Sequence, residues 1–188
     1  MKMKKALSTC FILTLLIGGC APWIMVGGNY ENSKQNFKAE FPNGWRQFNL
    51  SKDAVLITKD GLRLQLIRIS RSPIEMKLRN TEKKFSKGML PQEAAEIVIQ
   101  NFRSNPDILN QQVLANNPTK IGGYPGFNIV FAFQTKMGLT KQSIVYGFLS
   151  GDSYYEILYE APKRYYFKKD ESDFEKVKDT FKLLRDNV

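Results

Sequence analysis

The stretch Gly122-Gly123-Tyr124-Pro125-Gly126-Phe127-Asn128-Ile129-Val130-Phe131-Ala132-Phe133-Gln134-Thr135-Lys136 decides the fold. It opens with a tight turn of glycine and proline and continues as a run in which both parities are apolar. Side chains alternate along an extended chain, so Ile129, Phe131 and Phe133 point one way, and Val130 and Ala132 point the other. Two more runs follow, Thr140–Ser150 and Tyr154–Glu160, separated by Met137-Gly138-Leu139 and Gly151-Asp152-Ser153. Short glycine-containing links between extended runs predict hairpins, so this segment is a meander of antiparallel strands. In the second run Ile144, Tyr146 and Phe148 oppose Val145, Gly147 and Leu149. Strands apolar on both faces are covered on both faces. Helices are the material available to cover them.

The flanking sequence supplies those helices. Phe174, Val177, Phe181 and Leu184 fall at i, i+3, i+7 and i+10, a core-facing helical stripe that Asp170 or Ser172 is expected to cap. Upstream, Pro91 suits a first helical position and is followed by Gln92-Glu93. Ala94, Ile97, Val98 and Phe102 make a second apolar face, and Asn105-Pro106 ends it. Residues 108–115 are expected as a strand, and residues 71–90 as a long basic connection. In Leu62-Arg63-Leu64-Gln65-Leu66 the period is two, but Ile67 and Ile69 continue on the opposite parity, which predicts a bulge near Leu66 or Ile67. Ala54–Thr58 is a short strand closed by the turn Lys59-Asp60-Gly61. Phe37-Lys38-Ala39-Glu40-Phe41 alternates and meets a turn at Pro42-Asn43-Gly44-Trp45.

The N-terminus is of another kind. Met1-Lys2-Met3-Lys4-Lys5 is basic, Ala6 to Ile17 is mostly apolar, and Ile17-Gly18-Gly19-Cys20 closes the segment. A bilayer span needs about 20 apolar residues, so this run is a cleaved signal rather than a transmembrane helix. Ile17-Gly18-Gly19-Cys20 resembles the lipobox of bacterial lipoproteins. The resemblance implies cleavage between Gly19 and Cys20, a lipidated Cys20, and a protein exported to the cell envelope and anchored by its acyl chains. Ala21 after the cysteine implies the outer membrane, facing the periplasm, in a host with two membranes. Cys10 is discarded with the signal, so the mature chain has neither a disulfide nor a free thiol and is held by its core. Residues 20–36, with Gly27-Gly28 and a polar Asn32–Asn36, are expected to be a lipidated flexible tether interrupted by the apolar patch Trp23–Val26. The folded domain is expected over residues 37–188.

Removal of residues 1–19 leaves 169 residues, enough for one domain with its own core. The chain carries a net charge of +10, and +7 remains after the three signal lysines are lost. A basic exported domain suits anionic head groups, acidic polysaccharide or an acidic protein, and nucleic acid is not expected as its partner. There is no internal repeat.

The ordered elements resemble the Mog1/PsbP-like fold. The residues that carry the resemblance are Phe41-Pro42-Asn43-Gly44-Trp45, Ile121-Gly122-Gly123-Tyr124-Pro125-Gly126, Tyr155–Pro162 and the closing Phe174–Leu184 helix, so it covers roughly residues 37–185. It implies an α+β domain, an antiparallel β-sheet flanked by helices in an α/β/α sandwich. Proteins of that fold include a photosystem subunit, a nuclear-transport cofactor and bacterial lipoproteins, so it also implies a binding or accessory module.

Side-chain chemistry points the same way. The chain has no histidine, which removes histidine-based triads and the commonest metal ligand. Glu93 with Glu96, and Asp170 with Glu171 and Asp173, read as helix starts that favour the macrodipole rather than as acid/base pairs or cation ligands. The expectation is a monomeric, non-catalytic binding module without cofactor or metal. A carrier or sensor of a small amphiphile is the alternative, and a hydrolase comes third. Two basic-aromatic segments remain. One runs from Ile67 to Lys87. The other, Pro162–Lys169, makes Lys163, Arg164, Tyr165, Lys168 and Lys169 the candidate patch for a protein partner or head groups, with Tyr166 and Phe167 turned to the core.

Overall fold

The computed structural model describes residues 22–185. Its strands are β1 (Trp23–Asn32), β2 (Phe37–Phe48), β3 (Ala54–Thr58), β4 (Leu66–Pro73), β5 (Ile108–Ile121), β6 (Tyr124–Thr135), β7 (Thr140–Ser150), β8 (Ser153–Pro162) and β9 (Lys182–Leu183). The helices are α1 (Pro91–Arg103) and α2 (Tyr166–Thr180). All neighbouring strands are antiparallel, in the order β1-β2-β3-β4-β8-β7-β6-β5, with β9 on β2. No helix among the described residues is long and apolar enough to cross a membrane.

The meander forms as expected. Gly122 and Gly123, at φ +57° and +95°, make a two-residue turn that only residues tolerant of positive φ can take, and β5 and β6 pair from Ile121↔Tyr124 outward. Each face of the sheet then receives its helix. On one face Phe102 of α1 stacks on Phe131 of β6, with ring centroids 4.0 Å apart, beside Phe127, Ile129, Val145 and Tyr154. On the other, Phe174 of α2 stacks on Tyr159 of β8 at 5.3 Å, beside Ile144, Phe148, Tyr155 and Ile157. Each fully buried aromatic or branched side chain contributes roughly 1.5–3 kcal/mol of transfer free energy, so the two cores hold the sandwich together.

Four expectations are corrected. The first concerns residues 20–36, of which 23–32 are not a tether. They are β1, paired with β2 from Trp23↔Phe48 to Asn32↔Phe37. The glycines that read as flexible belong to a wide bulge. Pro42, Asn43 and Gly44 stand opposite Gly27 alone, between the pairs Val26↔Trp45 and Gly28↔Phe41. The second correction follows from the first: Pro42-Asn43-Gly44-Trp45 is not a turn, and β2 continues through it. Below the bulge Arg46 and Gln47 pair with β3, and above it Phe37 and Lys38 pair with β9. The ribbon thus joins two parts of the molecule, and Tyr30, Phe37 and Phe41 pack in the core on the α2 side.

The third correction concerns Leu62–Gln65, which form a turn rather than a strand. The amides of Leu64 and Gln65 both donate to the Gly61 carbonyl, at 2.8 and 3.0 Å. β4 starts cleanly at Leu66, and the change of parity marks the end of this turn. Fourth, α2 begins at Tyr166, ahead of both expected caps, and ends at Thr180. Phe181 is extended but still buried, stacked on Phe37 at 5.4 Å. Leu184 lies beyond the helix.

Candidate functional site

A cleft of about 310 Å³ opens between the C-terminal half of α1 and the sheet face beneath it. Phe131, Phe133, Val145 and Leu158 from the strands and Val98 and Phe102 from the helix give it an apolar floor. Arg68, Ser143, Glu156 and Glu160 from the sheet, with Asn101 and Asn105 from the helix side, give it polar walls. A second recess of about 320 Å³ lies at the other end of α1, by Met89, Leu90 and Leu149.

Strand alternation builds the polar wall. Tyr154, Glu156, Leu158 and Glu160 of β8 share the α1 side, and the register sets Arg68 of β4 against Leu158. Arg68 forms an ion pair with Glu156, and the Tyr154 hydroxyl donates to the other Glu156 oxygen at 2.9 Å. The Glu156 charge raises the basicity of Arg68. Burial, then that same charge, pushes the Tyr154 phenol well above its ordinary value, so it remains a donor. Lys141 holds Glu160 at 2.7 Å. Among the described residues Arg68 Nε is buried without a hydrogen-bond partner, whereas such donors are almost always satisfied. Both carboxylates are therefore held by cations, and the cleft combines an apolar floor with one unmatched N–H. That equipment suits holding a molecule and supplies no activated nucleophile.

The sequence missed this wall. Its one local signal was Glu156, a charge inside the apolar run Tyr154–Tyr159. The partner cation stands 88 positions away.

The five expected patch residues, Lys163, Arg164, Tyr165, Lys168 and Lys169, are all exposed and lie together on the β8–α2 link and the first turn of α2. Lys168 pairs with Glu171 at 2.6 Å. Lys169 pairs with Asp60 at 2.7 Å and lies over the rings of Tyr165 and Tyr166, 5.7 and 5.4 Å from their centroids. The Asp60 hydrogen bond raises the basicity of Lys169, and the Asp60 carboxyl is held below its ordinary value by Lys169 first and Gln65 second. Lys163 and Arg164 make no ion pair among the described residues. Phe167 is buried against Tyr159, and Tyr166 is half-buried.

The fold adds two members to the patch. The Lys163 amide donates to the Thr140 carbonyl at 3.0 Å, which sets the patch beside the β6–β7 turn. Met137 and Leu139 of that turn are exposed, at 83 % and 43 %, and Tyr165 is 63 % exposed. The other basic segment is largely spoken for: Arg71 donates to Ser153, Lys77 pairs with Glu82, Arg79 with Asp107 and Lys87 with Asp152. Gly19 and Cys20, the expected cleavage and lipid-attachment residues, lie outside the described residues.

No protein-family model matches the chain, and no curated protein matches it in sequence. Solved structures do match its fold. Cyanobacterial PsbP (CyanoP) from Synechocystis sp. PCC 6803 superposes with a TM-score of 0.56 at 14 % identity, over 88 % of this chain and 96 % of that one. The Ran-binding protein Mog1p of Saccharomyces cerevisiae gives 0.56 at 11 % identity, over 86 % and 97 %. LpqN of Mycobacterium tuberculosis, involved in cell envelope biogenesis, gives 0.52 at 12 % identity, over 86 % and 90 %. The chain spans about half of a Bacteroides thetaiotaomicron protein, covering 51 % of it at 18 % identity and a TM-score of 0.54. The fold is thus the Mog1/PsbP-like α+β fold, an antiparallel sheet between two helices. At these identities the likeness carries the fold and not the activity.

Proposed function

We propose that this protein is a lipid-anchored envelope lipoprotein whose domain is a non-catalytic binding module. The observation that carries the binding reading is the patch at the β8–α2 link. Lys163 and Arg164, without an ion pair among the described residues, adjoin exposed Tyr165, and the Lys163 backbone is bonded to the β6–β7 turn that exposes Met137 and Leu139, so cations and apolar surface are offered together. Such a surface fits an acidic protein partner with an apolar centre. The cation pairing of Glu156 and Glu160 supports the absence of catalysis. The anchor rests on Ile17-Gly18-Gly19-Cys20, and LpqN supplies an envelope precedent for the fold.

In-cell crosslinking of the full-length protein, followed by mass spectrometry, tests this. One dominant envelope protein is expected. Its capture should fall severalfold when Lys163 and Arg164 are replaced by glutamate, with the melting temperature unchanged. An unchanged partner set overturns the patch. A Cys20→Ala variant should leave the membrane fraction, and one that pellets like wild type overturns the lipid anchor.

The cleft favours a second reading, a carrier of a small amphiphile whose acceptor oxygen meets Arg68 Nε. A recurrent small-molecule mass in native spectra of the purified protein, lost in Arg68→Met, would support it.

A further inference from the structure

We propose that the sheet corner where β1 begins is a membrane-seating surface that presses Trp23, Met25 and Leu50 into an anionic bilayer. The inference rests on the lipid-anchored reading and adds to it a second, protein-borne contact that sets how the domain sits.

Three observations converge on this corner. The first is apolar exposure. Met25 is 64 % exposed, Leu50 60 %, Ile24 46 % and Trp23 37 %. Trp23 and Phe48 pack ring to ring at 5.1 Å, and the Asn49 amide donates to the Pro22 carbonyl at 2.8 Å, so the start of β1 and the turn after β2 form one surface. Edge strands in water are normally blunted with charge, whereas this one begins Trp-Ile-Met-Val. Tryptophan is the residue best suited to the head-group level.

The second observation is reach. Cys20 precedes Trp23 by three residues, so the two are separated by at most roughly 10 Å of extended chain. An acyl chain on Cys20 therefore keeps this corner within reach of the bilayer surface.

The third is charge. Arg46 is exposed and stands opposite Met25 in the register, and Lys52 follows Leu50 with Lys34 bonded to its carbonyl. Lys59 lines the same recess as Trp23 and Arg46, and of the two nearby carboxylates, Asp53 and Asp60, Asp60 is already paired with Lys169. Basic side chains within a Debye length of an anionic bilayer are drawn to its surface.

The seating also has an orientation. β5 lies at the opposite edge of the sheet, seven strands from β1, so at about 4.8 Å per strand it stands up to roughly 34 Å away. Strand β5, with α1 over it, projects away from the lipid.

The chain's two tryptophans provide the test, because Trp45 is fully buried and Trp23 is not. The protein is extracted from its membranes, its intact mass is recorded, and it is reconstituted with phosphatidylethanolamine–phosphatidylglycerol vesicles whose acyl chains are brominated. A mass carrying lipid on Cys20, with loss of the Trp23 share of the emission, is expected. Trp23→Phe should leave only unquenched, blue-shifted Trp45 emission. Met25→Glu with Leu50→Glu should restore the Trp23 emission while the Cys20 lipid stays in place. Lipid present without quenching of Trp23 overturns the seating and leaves the anchor standing. Quenching without lipid upholds the surface and overturns the anchor. Neither lipid nor quenching overturns both.

Discussion

Asp170 shows how far one residue's role depends on what folds onto it. In sequence it is a candidate cap for the last helix. In the fold it is buried inside that helix, accepting from Gln65 Nε2 at 2.7 Å and from Lys59 Nζ at 3.2 Å. It ties the 59–65 turn to α2. Asp170→Ala removes one acceptor from the buried Gln65 amide and the nearer carboxylate from the part-exposed Lys59, and is expected to cost about 1–3 kcal/mol in urea unfolding. Ser172→Ala should stay within about 0.5 kcal/mol, where a true cap would lose about 1. Asp60 carries a pH signature at the same scale. Its depressed carboxyl stabilises the fold above the ordinary value of 3.8 and ceases to do so as pH falls through the lower folded value. The destabilisation caused by Asp60→Asn should therefore be measurable near about pH 6 and fade below about pH 4. An equal deficit in urea melts at both pH values would contradict this.

At the scale of elements, the meander was legible because its signal is local. Glycine turns and period-two apolar runs sit within single stretches of chain, and β6, β7 and β8 form where those runs are. Leu62–Leu66 has the same period, yet Leu62–Gln65 form a turn, because the Gly61 carbonyl and the buried Gln65 side chain give that backbone another set of partners. Period alone cannot separate the two outcomes. Close packing is legible only in the fold. The Phe127 ring lies directly on Gly147 of the neighbouring strand, and an added Cβ would collide with it. Gly147→Ala is expected to cost about 1–3 kcal/mol, read as a lowered melting temperature. An unchanged melt would mean that the β6–β7 contact is loose.

For the whole molecule, the decisive element is β1. Read as a tether, residues 21–36 are dispensable. As an edge strand, residues 23–32 satisfy one side of β2 and bring Tyr30 onto Phe41, with ring centroids 4.4 Å apart. A chain beginning at Phe37 is expected to lose its cooperative melt or to aggregate, since β2 becomes an unprotected edge. Retention of the full melting temperature would restore the tether. With β1 in the sheet, the segment that follows the proposed anchor residue Cys20 is part of the fold.

By itself, the sequence determined what depends on neighbours in the chain. This comprises the three hairpin strands, the need for cover on both faces, the two amphipathic helices and the basic-aromatic run 162–169. Only the tertiary structure decided what depends on residues far apart. It placed Arg68 against Glu156, Lys163 beside the end of the β6–β7 turn, and β1 in the sheet. The physical reason is that strand pairing and ion pairing act across space. A charge or a glycine carries no mark of its distant partner, and its role exists only once the chain has closed around it.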